Sequence, residues 1–457
     1  MKFYLFGLTI LVSLTLNAQN TSTIDGKWLV NLSLPDIGVV TTILEFKVDS
    51  NSYKAYSRED ADKLLLGKVK APLIRKMSNF KNGSLIRVEK GVITAVGNTF
   101  KLTGVLVSSM GNYNFIGAIL KDSIHIDLSK KNLVTIGNVV GIKRTAVLPL
   151  ENYTKLFNDG MEITKAKIYK KSLLEEKKWK TFIENMNEIL PEIQDDLEMI
   201  SAFYYFSNKL NISHFAFLKS LENKNEISNR TNKLVLEEKS INTVYLNIPS
   251  FDGTKKEMDS IFKVIKQKGY KNLIVDLRSN KGGTIEAGMA FANNILSKPT
   301  NGGIFLTQKW FNKNANIPSL NAYSEFDYFS QSNYDLIIDG IHNKEGLYLK
   351  VIPNSDPFNG NLFVLTSKTT ASTCEPLVYE LKFQKRATIV GSKTAGAMLN
   401  GEKFKLYNNF LMYIPTADYY TSDGFRIEQN GVEPNIETKQ DEALTKVLTE
   451  LIKEYNP

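Results

Sequence analysis

The rhythm of hydrophobic and polar positions divides the chain into successive stretches. From residue 19 to 147, apolar positions alternate with polar ones: Gly26-Lys-Trp-Leu-Val-Asn-Leu-Ser-Leu34, Thr42-Ile-Leu-Glu-Phe-Lys-Val48 and Leu85-Ile-Arg-Val-Glu-Lys90. Thr99–Val107, Asn114–Ile119 and Ile124–Leu128 continue the series. A period of two places successive side chains on opposite faces, which predicts strands. Turn residues punctuate them at Asp49-Ser-Asn51, Lys81-Asn-Gly83, Gly97-Asn98 and Gly111-Asn112. An all-β barrel or sandwich is therefore expected over 19–147. Glu59–Met77 breaks the alternation and reads as a helix or long loop.

Between 148 and 232 the period becomes helical. Leu173, Leu174, Trp179, Phe182, Ile183, Met186 and Ile189 share one broad face. Pro191 restarts the pattern, since proline is tolerated in a first helical turn. The polar stretch Glu222–Asn232 then leads into 233–440, where short apolar runs alternate with helical patterns. The runs are Thr243–Ile248, Leu273–Val275, Leu362–Leu365 and Thr388–Val390; Lys255–Lys268, Ile285–Leu296 and Pro376–Phe383 are helical. This βαβ order predicts a sheet covered by helices. Residues 297–360, with Trp310, Phe311, Tyr323, Phe326, Tyr328 and Phe329, read as a long insertion of the kind that often forms lids or binding loops. Residues 441–457 read as a closing amphipathic helix.

Composition adds three constraints. With 42% hydrophobic and 23% charged residues, the chain has the make-up of a soluble globular protein. Residues 1–18 differ: Lys2 precedes an apolar run from Phe3 to Leu16, and Ala18 offers a small residue for cleavage. That is the form of an export signal, which implies a periplasmic or extracellular protein with no integral membrane span after its removal; a segment retained as a membrane anchor is the alternative. The net charge of +9 comes from lysines spread along the chain, and no nucleic-acid motif accompanies it. Cys374, the single cysteine, cannot pair internally, and three scattered histidines offer no metal-ligand spacing. No cofactor or metal is expected.

Candidate chemistry concentrates in two segments. Val275-Asp-Leu-Arg-Ser-Asn-Lys-Gly-Gly283 and Thr369-Thr-Ala-Ser-Thr-Cys-Glu375 each follow an apolar run and pass into a helical pattern. The glycine pair exposes backbone N–H groups at a helix start, where a developing anion can be held. Ser372 presents a hydroxyl at the mouth of the same sheet. Taken singly, Ser372 could cap the helix near Glu375, and a glycine pair could simply mark a turn. Among His125, His214 and His342, the first sits in an alternating strand and the last in a glycine-bounded turn, both without an evident role. His214 follows Ser213 in Asn211-Ile-Ser-His-Phe-Ala-Phe217, and Glu428 lies in Gly424-Phe-Arg-Ile-Glu-Gln-Asn-Gly-Val432.

Together with Thr243-Val-Tyr-Leu-Asn-Ile-Pro-Ser-Phe251 and Arg386-Ala-Thr-Ile-Val-Gly-Ser-Lys-Thr-Ala-Gly396, these stretches resemble, in order and spacing over about 200 residues, the carboxyl-terminal processing protease and tricorn-core family of serine peptidases. The resemblance implies a crotonase-like spiral fold for 233–440 and a Ser372 nucleophile. One branch of the family draws its base from a lysine, but the matching position here is Ala397, and Lys393 falls outside that slot. The tricorn-like branch uses a serine–histidine pair and a glutamate. On that pattern His214 is the general base, Glu428 orients it through Ser213, and Gly282 or Gly283 with Thr373 forms the oxyanion hole. Many relatives insert a PDZ domain before the protease sheet; the 28 residues 215–242 leave no room for one. The expected protein is thus α+β and multidomain: an all-β domain, a helical segment carrying His214, and an α/β peptidase domain acting on protein or peptide substrates. A binding protein for an apolar ligand, built on the same fold and using the aromatic insertion, is the alternative.

Overall fold

The computed structural model describes residues 23–34, 37–75, 81–108, 111–129, 135–143, 151–220, 234–330 and 334–452. The expected export segment 1–18 and the polar stretch Glu222–Asn232 lie outside them. Two compact units divide the chain, one drawn from Met1–Leu34 and Thr41–Pro149, the other from Pro35–Val40 and Leu150–Pro457.

The first unit is an antiparallel barrel. Its strands are β1 (Gly26–Leu34), β2 (Gly38–Asp49), β3 (Ser52–Tyr56), β4 (Ile86–Val96), β5 (Thr99–Ser108), β6 (Gly111–Leu120), β7 (Ser123–Ser129) and β8 (Thr135–Lys143). They pair in the order β1-β8-β7-β6-β5-β4-β3-β2, and a β1–β2 pairing closes the ring. The alternation seen in the sequence is the in/out alternation of this wall: Trp28, Val30 and Leu32 are buried along β1, as are Leu44 and Phe46 along β2. Glu59–Met77 contributes two short helices, Asp62–Leu66 and Lys70–Ile74. His125 lies exposed on β7 beside Asp127.

The second unit opens with three helices, Tyr153–Lys167, Lys177–Ile189 and Asp196–Ser207, and its strands form two sheets. A 3-10 turn, Leu190–Glu192, falls where Pro191 interrupts the helical pattern, and Asp195 caps the next helix by accepting from Glu198 N–H. The parallel sheet holds β10 (Val235–Ser240), β11 (Thr243–Asn247), β12 (Asn272–Asp276), β16 (Asn361–Thr366), β17 (Thr388–Gly391) and β20 (Ile436–Glu437), in that order. Only β10 runs antiparallel to its neighbour. Strand β12 is buried at all five positions because both its faces are covered. Val244, Leu246, Val275 and Val364 pack with residues of the helices Lys255–Gln267, Ile285–Ile295 and Cys374–Phe383. Ile274, Phe363 and Leu365 face Ala443, Val447 and Ile452 of the closing helical turns.

The other sheet of this unit runs β9 (Ala216–Lys219), β19 (Phe410–Tyr420), β13 (Thr300–Thr307), β15 (Gly346–Val351) and β14 (Tyr328–Phe329), with β18 (Leu399–Lys405) paired to β19. Residues 297–360 were expected as an irregular insertion; they supply β13, β14, β15 and the helix Tyr334–Asn343. The strands escape a periodicity reading because Ile304, Phe305 and Leu306 are all buried and Gly302-Gly303 interrupts the pattern. The aromatics of this stretch pack on one another, Trp310 on Phe326 and Tyr323 on Tyr348.

Candidate active site

Strand ends deliver the two turns. After β12 the chain reaches Asn280, a fully buried side chain whose Nδ2 donates to Ile248 O and whose Oδ1 accepts from Gly282 N–H at 2.8 Å. The backbone carbonyl of Asn280 accepts from Ala371 N–H, so the glycine turn holds the serine turn directly. Gly282 has φ +104°, and a Cβ there would lie 2.6 Å from Ser372 Cβ. Nothing but glycine fits at that position without displacing the serine.

Ser372 itself is left-handed, φ +54°, a conformation that costs a non-glycine residue about 1–3 kcal/mol and recurs at functional turns. Its hydroxyl does not cap the following helix. Glu375 N–H donates instead to the Ser372 carbonyl at 2.7 Å, and the Glu375 carboxylate reaches back to Ser372 N–H at 3.0 Å. This is half of a capping box, the half that leaves Oγ unused. Among the described residues Ser372 Oγ has no hydrogen-bond partner, His214 included.

The histidine arrives from elsewhere in the same unit. Asn211 and His214 are both left-handed, φ +53° and +58°, which bends the chain between the helix Asp196–Ser207 and β9. The next residue, Phe215, is driven into an aromatic cluster against Trp179 and Phe203 at centroid separations of 5.0 and 5.3 Å. Pairing of β9 with Phe410–Tyr413 of β19 fixes the other side, and the Tyr413 ring lies 5.4 Å from the imidazole.

A relay then follows from donor counting. Ser213 Oγ donates to Glu428 Oε2 at 2.8 Å and lies 2.7 Å from His214 Nδ1. A hydroxyl has one proton; once it is given to the glutamate, Oγ can only accept from Nδ1–H. That tautomer leaves Nε2 with a free lone pair. Glu428, 1% exposed, also accepts from Ser213 N–H and Met398 N–H, both at 2.8 Å. Burial pushes the Glu428 carboxyl up from its ordinary range, opposed by these donors. Crowding by protein atoms pushes His214 down to about 4, although part of the residue still meets solvent.

Glu375 escaped the sequence reading. Its fully buried carboxylate accepts from Thr394 Oγ1, Gly396 N–H, Ala397 N–H and Ser372 N–H at 2.6, 2.7, 2.8 and 3.0 Å. Consecutive N–H groups of one loop thus bind two glutamates: Ala397 holds Glu375 on the serine side, and Met398 holds Glu428 on the histidine side. The Ser-x-x-Glu spacing was the available signal. Asn280 had none.

Of the alternatives Gly282 and Gly283 for the oxyanion hole, Gly282 already donates its N–H to Asn280 Oδ1. Gly283 N–H and Thr373 N–H make no hydrogen bond among the described residues. Thr373 Oγ1 donates to Gly283 O at 2.8 Å, joining the two donors' residues. Lys393 pairs with Glu433 at the surface. Cys374 is buried, with its thiol pushed up by burial. His342, expected in a solvated turn, ends the helix Tyr334–Asn343 and bonds Glu402 at 2.9 Å, because its turn is in fact helical. No group of three or more metal-ligating side chains is assembled among the described residues.

The sequence profile of peptidase family S41 matches residues 242–438. The carboxyl-terminal-processing protease of Picosynechococcus sp. is 24% identical over 202 residues, which is 44% of this chain and 40% of that protein. The chloroplastic C-terminal processing peptidase of Tetradesmus obliquus is 25% identical over 194 residues, 42% of this chain and 34% of that one. The chain therefore aligns with about two fifths of these relatives' length or less. Among solved structures, the photosystem II D1 C-terminal processing protease aligns with a TM-score of 0.39 at 15% identity, covering 64% of this chain and 94% of that one. The tricorn protease gives 0.44 at 10% identity, covering 92% and 54%. Both are too distant to bear on mechanism. The matched stretch contains the glycine turn, the Ser372 turn and Glu428, and residues 242–438 form a peptidase family S41 domain homologous to the carboxyl-terminal-processing proteases.

Proposed function

We propose that this protein is an exported serine peptidase acting on proteins or peptides through an acyl-enzyme on Ser372. What supports it most is the hydrogen-bonded chain His214–Ser213–Glu428, whose donor count leaves Nε2 as a base. Ser372 Oγ attacks the peptide carbonyl carbon while its proton passes to His214 Nε2, and the carbonyl oxygen becomes an oxyanion facing the N–H groups of Gly283 and Thr373. Collapse breaks the C–N bond, and the proton on Nε2 moves to the leaving amine. Water then adds to the acyl ester, giving its proton to Nε2; Ser372 takes that proton back as the acid departs. No metal or nucleotide enters this scheme.

Closure of the Ser372–His214 gap on substrate binding is part of this reading, since such contacts often tighten only in the complex. The parallel strands β11, β12, β16, β17 and β20 support the crotonase-like spiral expected from the family. Export is read from residues 1–18. A fluorophosphonate should label Ser372 in the wild-type protein and fail in Ser372→Ala and His214→Ala. Labelling that survives either substitution would remove the nucleophile or the base from the scheme, and a protein with apolar-ligand affinity but no labelling would favour the binding alternative.

A further inference from the structure

We propose that Tyr413 is a positioning residue of the reaction: its ring sets the plane of the His214 imidazole, and Gly401 is what leaves that ring its place. This rests on the hydrolytic reading above. The contact between His214 Nδ1 and Ser213 Oγ, at 2.7 Å, fixes one atom of the imidazole. A ring held at one atom can still swing, and each swing moves Nε2, the atom that has to meet Ser372. The backbone beside it has less freedom. Phe215 is locked in the aromatic cluster with Trp179 and Phe203, and Ala216 pairs with Tyr413 across the sheet. What remains to be set is the side-chain torsion of His214.

Tyr413 supplies the second contact. Its ring centroid lies 5.4 Å from that of the imidazole, with 58° between the planes, a separation at which aromatic pairs attract. The support behind the ring is rigid. Tyr413 lies in β19 between β18 and β9, opposite Lys403 on one side and Ala216 on the other, and its neighbours Met412 and Ile414 are fully buried. A group mounted on a doubly paired strand holds its aim better than one on a loop.

Gly401, on β18, completes the arrangement. A Cβ there would lie 2.6 Å from Cε2 and Cζ of the Tyr413 ring. The backbone of Gly401 is not left-handed, so alanine would suit its conformation; the tyrosine ring alone excludes it. The ring therefore rests on the glycine and against the imidazole at once. Lys403 Nζ lies 5.8 Å from the centre of the same ring but on an exposed residue, where solvent screens its charge.

The test measures the rate of Ser372 labelling by a fluorophosphonate, with kcat and KM on a fluorogenic peptide, using the full chain. Tyr413→Leu keeps apolar bulk without a flat ring. Labelling rate and kcat should fall about 10-fold, the preference that an aromatic pair confers on the geometry it holds, with KM unchanged. Tyr413→Phe should recover most of that loss. Gly401→Ala, which keeps the tyrosine and displaces its ring, should fall about as far as Tyr413→Leu, and Lys403→Met should label at the wild-type rate. The assignment is overturned if Tyr413→Leu or Gly401→Ala labels like wild type, or if phenylalanine does no better than leucine. A loss in Lys403→Met equal to that in Tyr413→Leu would place the effect in surface charge, and a raised KM at constant kcat would make Tyr413 a substrate contact; either result also refutes it. A wild-type protein that does not label at Ser372 at all would instead sink the hydrolytic reading.

Discussion

Glu375 is the most informative position to perturb. Four donors converge on its two oxygens, and three of them are backbone N–H groups that cannot accept a carboxyl proton. Burial pushes the carboxyl up and the four donors push it down, with burial the larger influence; the ionised form accepts from all four donors at once. Alanine would strand three backbone N–H groups and one hydroxyl. At about 1–3 kcal/mol per stranded buried group, with relaxation and water entry favouring the low end, the cost is about 3–5 kcal/mol. Glutamine keeps one acceptor oxygen, good for two of the four contacts, and turns an NH₂ toward the others; about half that cost is expected. For a unit of a few hundred residues, each kcal/mol moves Tm by roughly 2–4 °C. Calorimetry at neutral pH should therefore place Glu375→Ala about 6–20 °C below wild type, with glutamine between them. Hydrolysis should fall in both variants, since the Ser372 turn loses its anchor. Should Glu375→Gln melt within a degree of wild type and keep its activity, the carboxyl is neutral in the folded protein and the four-donor account is wrong.

Three further outcomes are expected. Ser213→Ala should lower kcat by about 100-fold or more, the scale on which misoriented catalytic histidines fail, with Ser213→Thr recovering much of it; equal losses in both would point to packing and not to the relayed hydroxyl. The sign for His214 follows from its downward shift to about 4: the imidazole stays neutral through the window between about 4 and 6.5 where a free histidine would protonate. The acid limb of kcat/KM should accordingly lie near pH 4, and a limb at 6.5 or above would mean that Glu428 stabilises the imidazolium more than burial opposes it. Gly282→Ala, forced to φ +104° with its Cβ on Ser372, should cost about 100-fold in kcat/KM, the scale of a one-ångström misplacement, with little loss of fold by circular dichroism; undiminished hydrolysis would separate this glycine from the nucleophile.

Much of this protein was written in local pattern. Alternation announced the barrel because each strand has one face in a core and one in water, and a period of 3.6 announced the helical segment for the same reason. The apolar runs Leu273–Val275 and Leu362–Leu365 were visible as strands, which extend over Asn272–Asp276 and Asn361–Thr366, because both their faces are covered. On the family resemblance, the position matching a lysine base is Ala397, whose methyl group cannot accept a proton. Other features depend on contacts that no local window contains. Strands β13 and β15 carry no usable alternation, and their pairing partners lie forty or more residues apart. Gly282 and Gly283 look interchangeable until the Asn280 side chain takes one N–H and leaves the other. Glu375 and Glu428 are both ordinary carboxylates in sequence; folding buries them on adjacent N–H groups of one loop, where desolvation is offset only by the donors aimed at them. The sequence determined which groups could do the chemistry, and tertiary structure decided which donors and lone pairs remained free to do it.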